Sequence, residues 1–252
     1  MLRSHSRYFS PMNILGQVRF VWKPLIFALC LLPAATVVTD AFEITGGLGA
    51  NPVEALQDRF GIWGLRFIMI ALAVTPLRQL TRWNWLVRFR RMLGLFAFFY
   101  VAMHFLTWLI LDQGLLMSAV AEDIAERPFI TIGFAAFLLL LAMAATSTIG
   151  IRRRMGRRWQ QLHYSVYVVG ILGVWHFWWQ VKLDTREPAV YATILALLLG
   201  YRLYRRIGRR RPRARRPLAP AALQGEVASP VPDCERDTDV ALPQAHSGLR
   251  RP

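Results

Sequence analysis

Residues 134–146 read FAAFLLLLAMAAT, and a few residues further on the chain runs into RRRMGRR at 152–158. An uncharged apolar run closed by five arginines is the mark of a segment that crosses a bilayer and stops at its cytoplasmic face. Five other apolar stretches lie on either side of it. In chain order the six span roughly Pro24–Thr39, Gly61–Leu77, Met92–Leu111, Phe129–Ile149, Gln160–Val181 and Ala189–Tyr204. Most approach the ~20 residues a crossing needs; the sixth is short unless Arg202 snorkels outward. Hydrocarbon offers no partner to a backbone N–H, so each stretch is predicted to be a helix. No long alternating segments suggest a membrane barrel.

The connections sort by charge. Residues 1–23 carry Arg3, Arg7, Arg19 and Lys23 and no acid. The next connection carries Asp40, Glu43, Glu54 and Asp58 with only Arg59. Then come Arg78, Arg82, Arg88, Arg90 and Arg91, followed by Asp112, Glu122, Asp123 and Glu126 against Arg127. After the five arginines of the fourth connection, the fifth is short and balanced, and residues 202–216 hold nine arginines. This alternation places both termini inside. The expectation is an all-α, integral membrane bundle of six transmembrane helices, N-in and C-in. Residues 1–20 form a cytoplasmic segment, 21–206 the transmembrane domain, and 207–252 a basic, Pro-rich, disordered cytoplasmic tail. The first apolar stretch lacks a small-residue cleavage site and is read as a retained helix.

Bulk composition agrees. The 252 residues are 55% hydrophobic and 18% charged, against about 25% charged in a soluble domain. Mean hydropathy is +0.33. The net charge of +16 would suit nucleic acid. Its division into clusters along one membrane face is instead what topology and contact with anionic membrane lipid require, so no nucleic-acid partner is expected. Cys30 and Cys234 are too far apart to imply a framework.

Three histidines fall in or at the ends of the predicted spans: His104 in the third, His163 and His176 in the fifth. Ionisable side chains in a span are costly and read as functional by default; the alternative is a neutral histidine bonded to a neighbouring helix. Two imidazoles from neighbouring helices at one depth suit a haem iron with an axial ligand on each side. The third and fifth spans run in the same direction. His104 stands 13 residues beyond Arg91, about 20 Å, and His176 stands 18 residues beyond Arg158, about 27 Å, at ~1.5 Å per residue. Both fall in the outer half, whereas His163 sits near the inner end. A zinc site would need more ligands than the spans offer, and an ion-coupled transporter would show intramembrane carboxylates. Residues 13 apart on an ideal helix point about 140° apart, so His163 need not share a partner with His176 unless the helix bends near Gly170 or Gly173.

Three segments, GIWGLRFIMIALAVTPLRQL at 61–80, RRMLGLFAFFYVAMH at 90–104 and RRWQQLHYSVYVVGILGVWHFWW at 157–179, resemble the MsrQ (YedZ) family. These are haem-binding membrane subunits of a periplasmic protein-methionine-sulfoxide reductase system, within the ferric-reductase-like transmembrane superfamily. The resemblance covers about residues 15–205. It implies haem b held by His104 and His176 as axial ligands, and FMN as a further cofactor. The superfamily's second histidine pair would use His163 and the residue 14 before His104, which here is Arg90. Arginine stays protonated and is a poor iron ligand. A second haem at His163, or a flavin phosphate or haem propionate near Arg90, are the alternatives there. Arg66 is either a snorkelling arginine or a propionate partner. Gly94, Gly170 and Gly173 either admit a haem plane or serve helix packing, and Trp175, Trp178 and Trp179 read as an interfacial belt.

The segment after Tyr204 is too short for a dinucleotide-binding unit. Electrons are therefore expected from the quinol pool, through a quinone site, or from a soluble flavin reductase. The resemblance implies a heterodimer with a periplasmic molybdopterin-containing methionine-sulfoxide reductase subunit, in the bacterial inner membrane. A ferric-reductase-like cytochrome b with another acceptor, and a non-redox transporter or scaffold, are the competing readings. The charge pattern makes a direct prediction. A reporter fused after Glu54 or Asp123 should behave as periplasmic and one fused after Arg154 as cytoplasmic; the reverse pattern would invert the topology.

Overall fold

The computed structural model describes residues 18–181 and 184–210. The N-terminal segment up to 17 and the expected tail from 211 onward lie outside the described residues, as do Lys182 and Leu183. Each helix boundary has a local cause. Asn51 caps the longest helix by accepting the Glu54 backbone N–H, Pro52 takes the first-turn position where no N–H is needed, and Arg82 ends the helix in a left-handed conformation, φ 61°.

The helices in order are α1 (Lys23–Ala41), entered through a π-turn at Val18–Trp22; α2 (Pro52–Thr81); α3 (Arg90–Thr107), preceded by a 3₁₀ turn at Asn84–Phe89 and extended by a π-turn at Trp108–Asp112; α4 (Met117–Glu126); α5 (Pro128–Ala145); α6 (Ile149–Met155); α7 (Arg157–Tyr164); α8 (Val166–Gln180); and α9 (Arg186–Arg210). No strand occurs among the described residues. Four segments, Phe20–Ala41, Pro52–Thr81, Asn84–Asp112 and Pro128–Ala145, are long and apolar enough to cross a membrane. The fifth predicted stretch is interrupted at Ser165, which leaves α7 and α8 at 8 and 15 residues. Ser165 Oγ donates to the Leu162 carbonyl at the break. The irregularity therefore lies at Ser165 rather than near Gly170 or Gly173, both of which sit inside regular α8.

The protein is an all-α membrane bundle. Its outward faces are apolar: Leu25, Phe27, Leu29 and Leu32 of α1, Val168 and Ile171 of α8, and Leu197 of α9 are all exposed. On α1, which is long and apolar enough to cross a membrane, side chains of this kind face lipid. The interior is filled by Leu72, Ala97, Tyr100 and Val169, each at most 1% exposed. The α2–α3 and α5–α8 pairs make the most extensive helix contacts. At Gly64 a Cβ would come within 2.7 Å of Val101 Cγ2, so α2 and α3 approach as closely as only glycine permits.

Two helix-interior prolines, Pro33 and Pro76, would leave backbone groups unpaired where no water can reach. Another helix reaches the backbone beside each of them. Tyr100 on α3 accepts the Ala34 N–H at 3.0 Å and donates to the Cys30 carbonyl at 2.7 Å, bridging one turn of α1 beside Pro33. Pro76 has no N–H for the Leu72 carbonyl, and Arg202 of α9 donates to that oxygen at 2.5 Å. Arg202 also donates to the Tyr167 hydroxyl and lies over its ring. Arg202 thus turns into the bundle rather than snorkelling outward; an otherwise orphaned carbonyl attracts it.

Tyr100→Phe keeps the ring and removes the bridge. It should destabilise the bundle by about 1–3 kcal/mol, the usual cost of a buried polar group left without its partner. Thermal unfolding of the purified protein in detergent would show a lowered midpoint; an unchanged midpoint would mean that α1 closes its own ladder.

Candidate cofactor site

A cavity of about 680 Å³ opens between α2, α3, α5 and α8. That is within the range of cofactor pockets, about 300–1,000 Å³. Its mouth carries Glu54, Asp58, Asp112, Arg127 and Asp184, and its deep end is closed by Ile68, Leu140 and Val169. Glu54 and Asp58 were expected in a connection ahead of Gly61, but the Asn51 cap starts α2 at Pro52 and brings both onto the helix. Phe105, Phe134 and Phe137 supply apolar wall, with Phe105 and Phe137 stacked at 4.4 Å between centroids.

His104 and His176 face each other across this space. Their ring centroids are 6.2 Å apart and their planes are inclined at 78°. Metal–imidazole bonds of about 2.0 Å, with each ring centre about 1.1 Å behind its nitrogen, put two trans imidazoles roughly 6.3 Å apart. The observed separation leaves room for a single metal ion between the rings.

The orientation of each ring is fixed by the backbone. His104 Nδ1 lies 2.9 Å from the Gln57 carbonyl and His176 Nδ1 lies 2.7 Å from the Phe129 carbonyl. A carbonyl only accepts, so each Nδ1 carries the proton and donates it. The Nε2 of both rings is then unprotonated and free to ligate. Among the described residues no group of three His, Cys, Asp or Glu is placed to hold a metal ion. The cavity thus offers two neutral, opposed imidazoles and an apolar slot. This suits a planar macrocycle that fills a metal's remaining positions itself.

The other residues singled out from sequence lie elsewhere. His163 does not line the cavity; it is on α7, stacked on Trp159 at 3.8 Å, with Nδ1 on the carbonyl of the same residue at 3.0 Å. Arg90 is the exposed first residue of α3. Arg66 Nε donates to the Tyr191 hydroxyl at 2.9 Å and its guanidinium lies over Trp63 at 4.8 Å, which ties α2 to α9 outside the cavity. Arg127 is the arginine at the mouth, paired with Asp123 at 3.3 Å. Of the three glycines named from sequence, only Gly173 lines the cavity; Gly170 packs against Leu195 and Leu72, and nothing lies near Gly94. Trp175, Trp178 and Trp179 are all exposed, as a belt requires. Sequence reading missed Gly61 and Gly133, which touch the two histidine rings. Each follows by four residues the carbonyl that its histidine uses, a signal visible only once helix pairing is known.

Residues 60–174, which include both histidine-bearing helices up to two residues short of His176, match the model of the ferric reductase like transmembrane component. The chain is 48% identical over 206 residues to a protein-methionine-sulfoxide reductase heme-binding subunit MsrQ of Xanthomonas oryzae pv. oryzae; the match covers 80% of this chain and 94% of the relative. It is 53% identical over 175 residues to the MsrQ of Xanthomonas campestris pv. campestris strain 8004, covering 69% and 80%. With the Bordetella pertussis MsrQ it shares 50% over 183 residues, covering 72% and 88%. The chain belongs to the MsrQ family. The family's relatives are named for a haem-binding subunit, and the opposed, Nδ1-anchored imidazoles are the feature of this chain that fits such a group.

Proposed function

We propose that this chain is a haem b-carrying electron-transfer subunit, with His104 and His176 as the two axial ligands. The observation that carries this reading is the 6.2 Å separation of two rings whose Nδ1 protons are both committed to backbone carbonyls. A haem held there would supply one-electron exchange between its ferric and ferrous states. The protein's part is to hold Nε2 of each ring toward the cavity, exclude water with the phenylalanine wall, and supply Arg127 at the mouth for the propionates. Arg66 does not line the cavity and is bonded to Tyr191 instead.

The same reading makes the bundle six crossings with both termini inside, in a bacterial inner membrane. The cavity mouth, rimmed by residues of the acid-bearing connections, then opens on the periplasmic side. The relatives' name points to a methionine-sulfoxide reductase as the acceptor, which we place outside the membrane as a molybdopterin enzyme in a heterodimer. Electrons enter from the cytoplasmic side, from quinol or a soluble flavin reductase. Any FMN, quinone or second haem belongs with His163 and Arg90 at the inner end, away from the cavity.

Purified protein from haem-replete cells should show a sharp Soret band and a dithionite-reducible α band. Colourless protein would return the histidines to a structural role in a transporter or scaffold. His104→Ala and His176→Ala should each abolish stable haem at this site, and His163→Ala should retain it. Arg90→His should raise haem content, because imidazole ligates iron where guanidinium does not. Pyridine haemochrome ratios on the four variants decide. Loss of all haem in His163→Ala with retention in His176→Ala would mean that His104 pairs with His163 instead. Reduction of the haem by quinol, or by a flavin reductase with NADPH, separates the two donors.

A further inference from the structure

We propose that Gly61 and Gly133 are positioning residues that set the orientation and donor strength of the two axial imidazoles. The inference rests on the bis-histidine reading above. A Cβ on Gly133 would lie 2.8 Å from both Cε1 and Nδ1 of His176, and one on Gly61 would lie 3.1 Å from Nδ1 and 3.2 Å from Cε1 of His104. At Gly133 the separation is one that a carbon atom does not tolerate without displacing the ring, and at Gly61 it is tight enough that the ring must give by a few tenths of an ångström.

The reason for glycine at these positions follows from helix geometry. A side chain on an α-helix leans toward the N-terminus and covers the turn before its own Cα. The residue at i+4 therefore shields the carbonyl at i, whose first lone pair already accepts that residue's N–H. With hydrogen at i+4 the second lone pair is open to an approaching ring. Gln57 with Gly61 on α2, and Phe129 with Gly133 on α5, repeat this arrangement in the same register. In both halves the histidine stands 47 residues after the carbonyl it bonds. Two unrelated packing glycines would have no cause to share that spacing, the same ring atoms and the same partner type. The site is thus built twice by one device: an unshielded helix carbonyl takes the Nδ1–H and leaves Nε2 for iron.

The device has two consequences. The Nδ1–H···O=C bond makes each imidazole a stronger donor and so favours ferric iron. It also fixes the near-perpendicular ring planes, at 78°. Perpendicular imidazole planes leave the two iron dπ orbitals that they address nearly equal in energy. Oxidised low-spin haem should then give an EPR signal dominated by one very large g value.

The test uses the full-length protein in detergent, with Gly133→Ala, Gly61→Ala and, as control, Gly94→Ala, beside which nothing lies within 4 Å. Gly133→Ala should weaken haem retention by about 10–100-fold, the usual cost of losing a histidine's outer hydrogen bond. Haem that remains should show a smaller largest g value and a raised midpoint potential. Gly61→Ala should move the same readouts in the same direction by less, and Gly94→Ala should match the wild type. Wild-type content, EPR and potential in both alanine variants would overturn the proposal, as would an equal change in Gly94→Ala. If Gly133→Ala yields no monodisperse protein by size exclusion, the milder Gly61→Ala decides alone. A wild-type protein without a low-spin bis-imidazole signal would instead overturn the reading on which the proposal rests.

Discussion

Backbone carbonyls in a solvent that cannot hydrogen-bond them are the constraint around which this protein is arranged. In water a proline-freed carbonyl finds a molecule of solvent; in hydrocarbon it must find a side chain. Arg202 meets that demand at the Leu72 carbonyl below Pro76, Tyr100 bridges the Ala34 N–H and the Cys30 carbonyl beside Pro33, and each ties a separate helix into the bundle in doing so. Arg202 shows how strong the demand is. An arginine near a helix end would gain by reaching water, yet here it turns inward to Leu72 and Tyr167.

The candidate site draws on the same resource. His104 and His176 are neutral rings in an apolar cavity, and each would carry an unsatisfied N–H if nothing accepted it. Helix carbonyls accept both, and the other nitrogen of each ring is thereby left as an unprotonated lone pair. Here each ring of the pair satisfies one nitrogen, with 6.2 Å between ring centroids, which is what the proposed haem ligation needs. The lining of the same cavity includes Glu54, Asp58, Asp112, Arg127 and Asp184, which lie near or beyond the ends of α2, α3, α5 and α8.

The two ends of the bundle differ in construction. The cavity end is a slot closed by two helices on each side. At the other end the break at Ser165 separates α7, with His163, from α8, with His176. The break lets His163 stack on Trp159 rather than follow the ring direction of His176.

Much of this was legible in the chain itself. Uncharged runs such as FAAFLLLLAMAAT and the alternation of basic and acidic connections determined an all-α membrane bundle, because hydrocarbon leaves helices few alternatives. Counting from Arg91 and Arg158 placed His104 and His176 at related depths, because rise per residue is nearly constant in a helix. What a single sequence could not supply was direction around each helix axis and which helix faces which. Those decided that Gly61 and Gly133, not Gly94 and Gly170, stand against the rings, that Arg127 rather than Arg66 lines the mouth, and that the α2 helix begins early enough to carry Asp58 into the cavity. Periodicity reports the distance along a helix, while contact depends on the rotation and packing of two helices at once, and only the tertiary structure determines that.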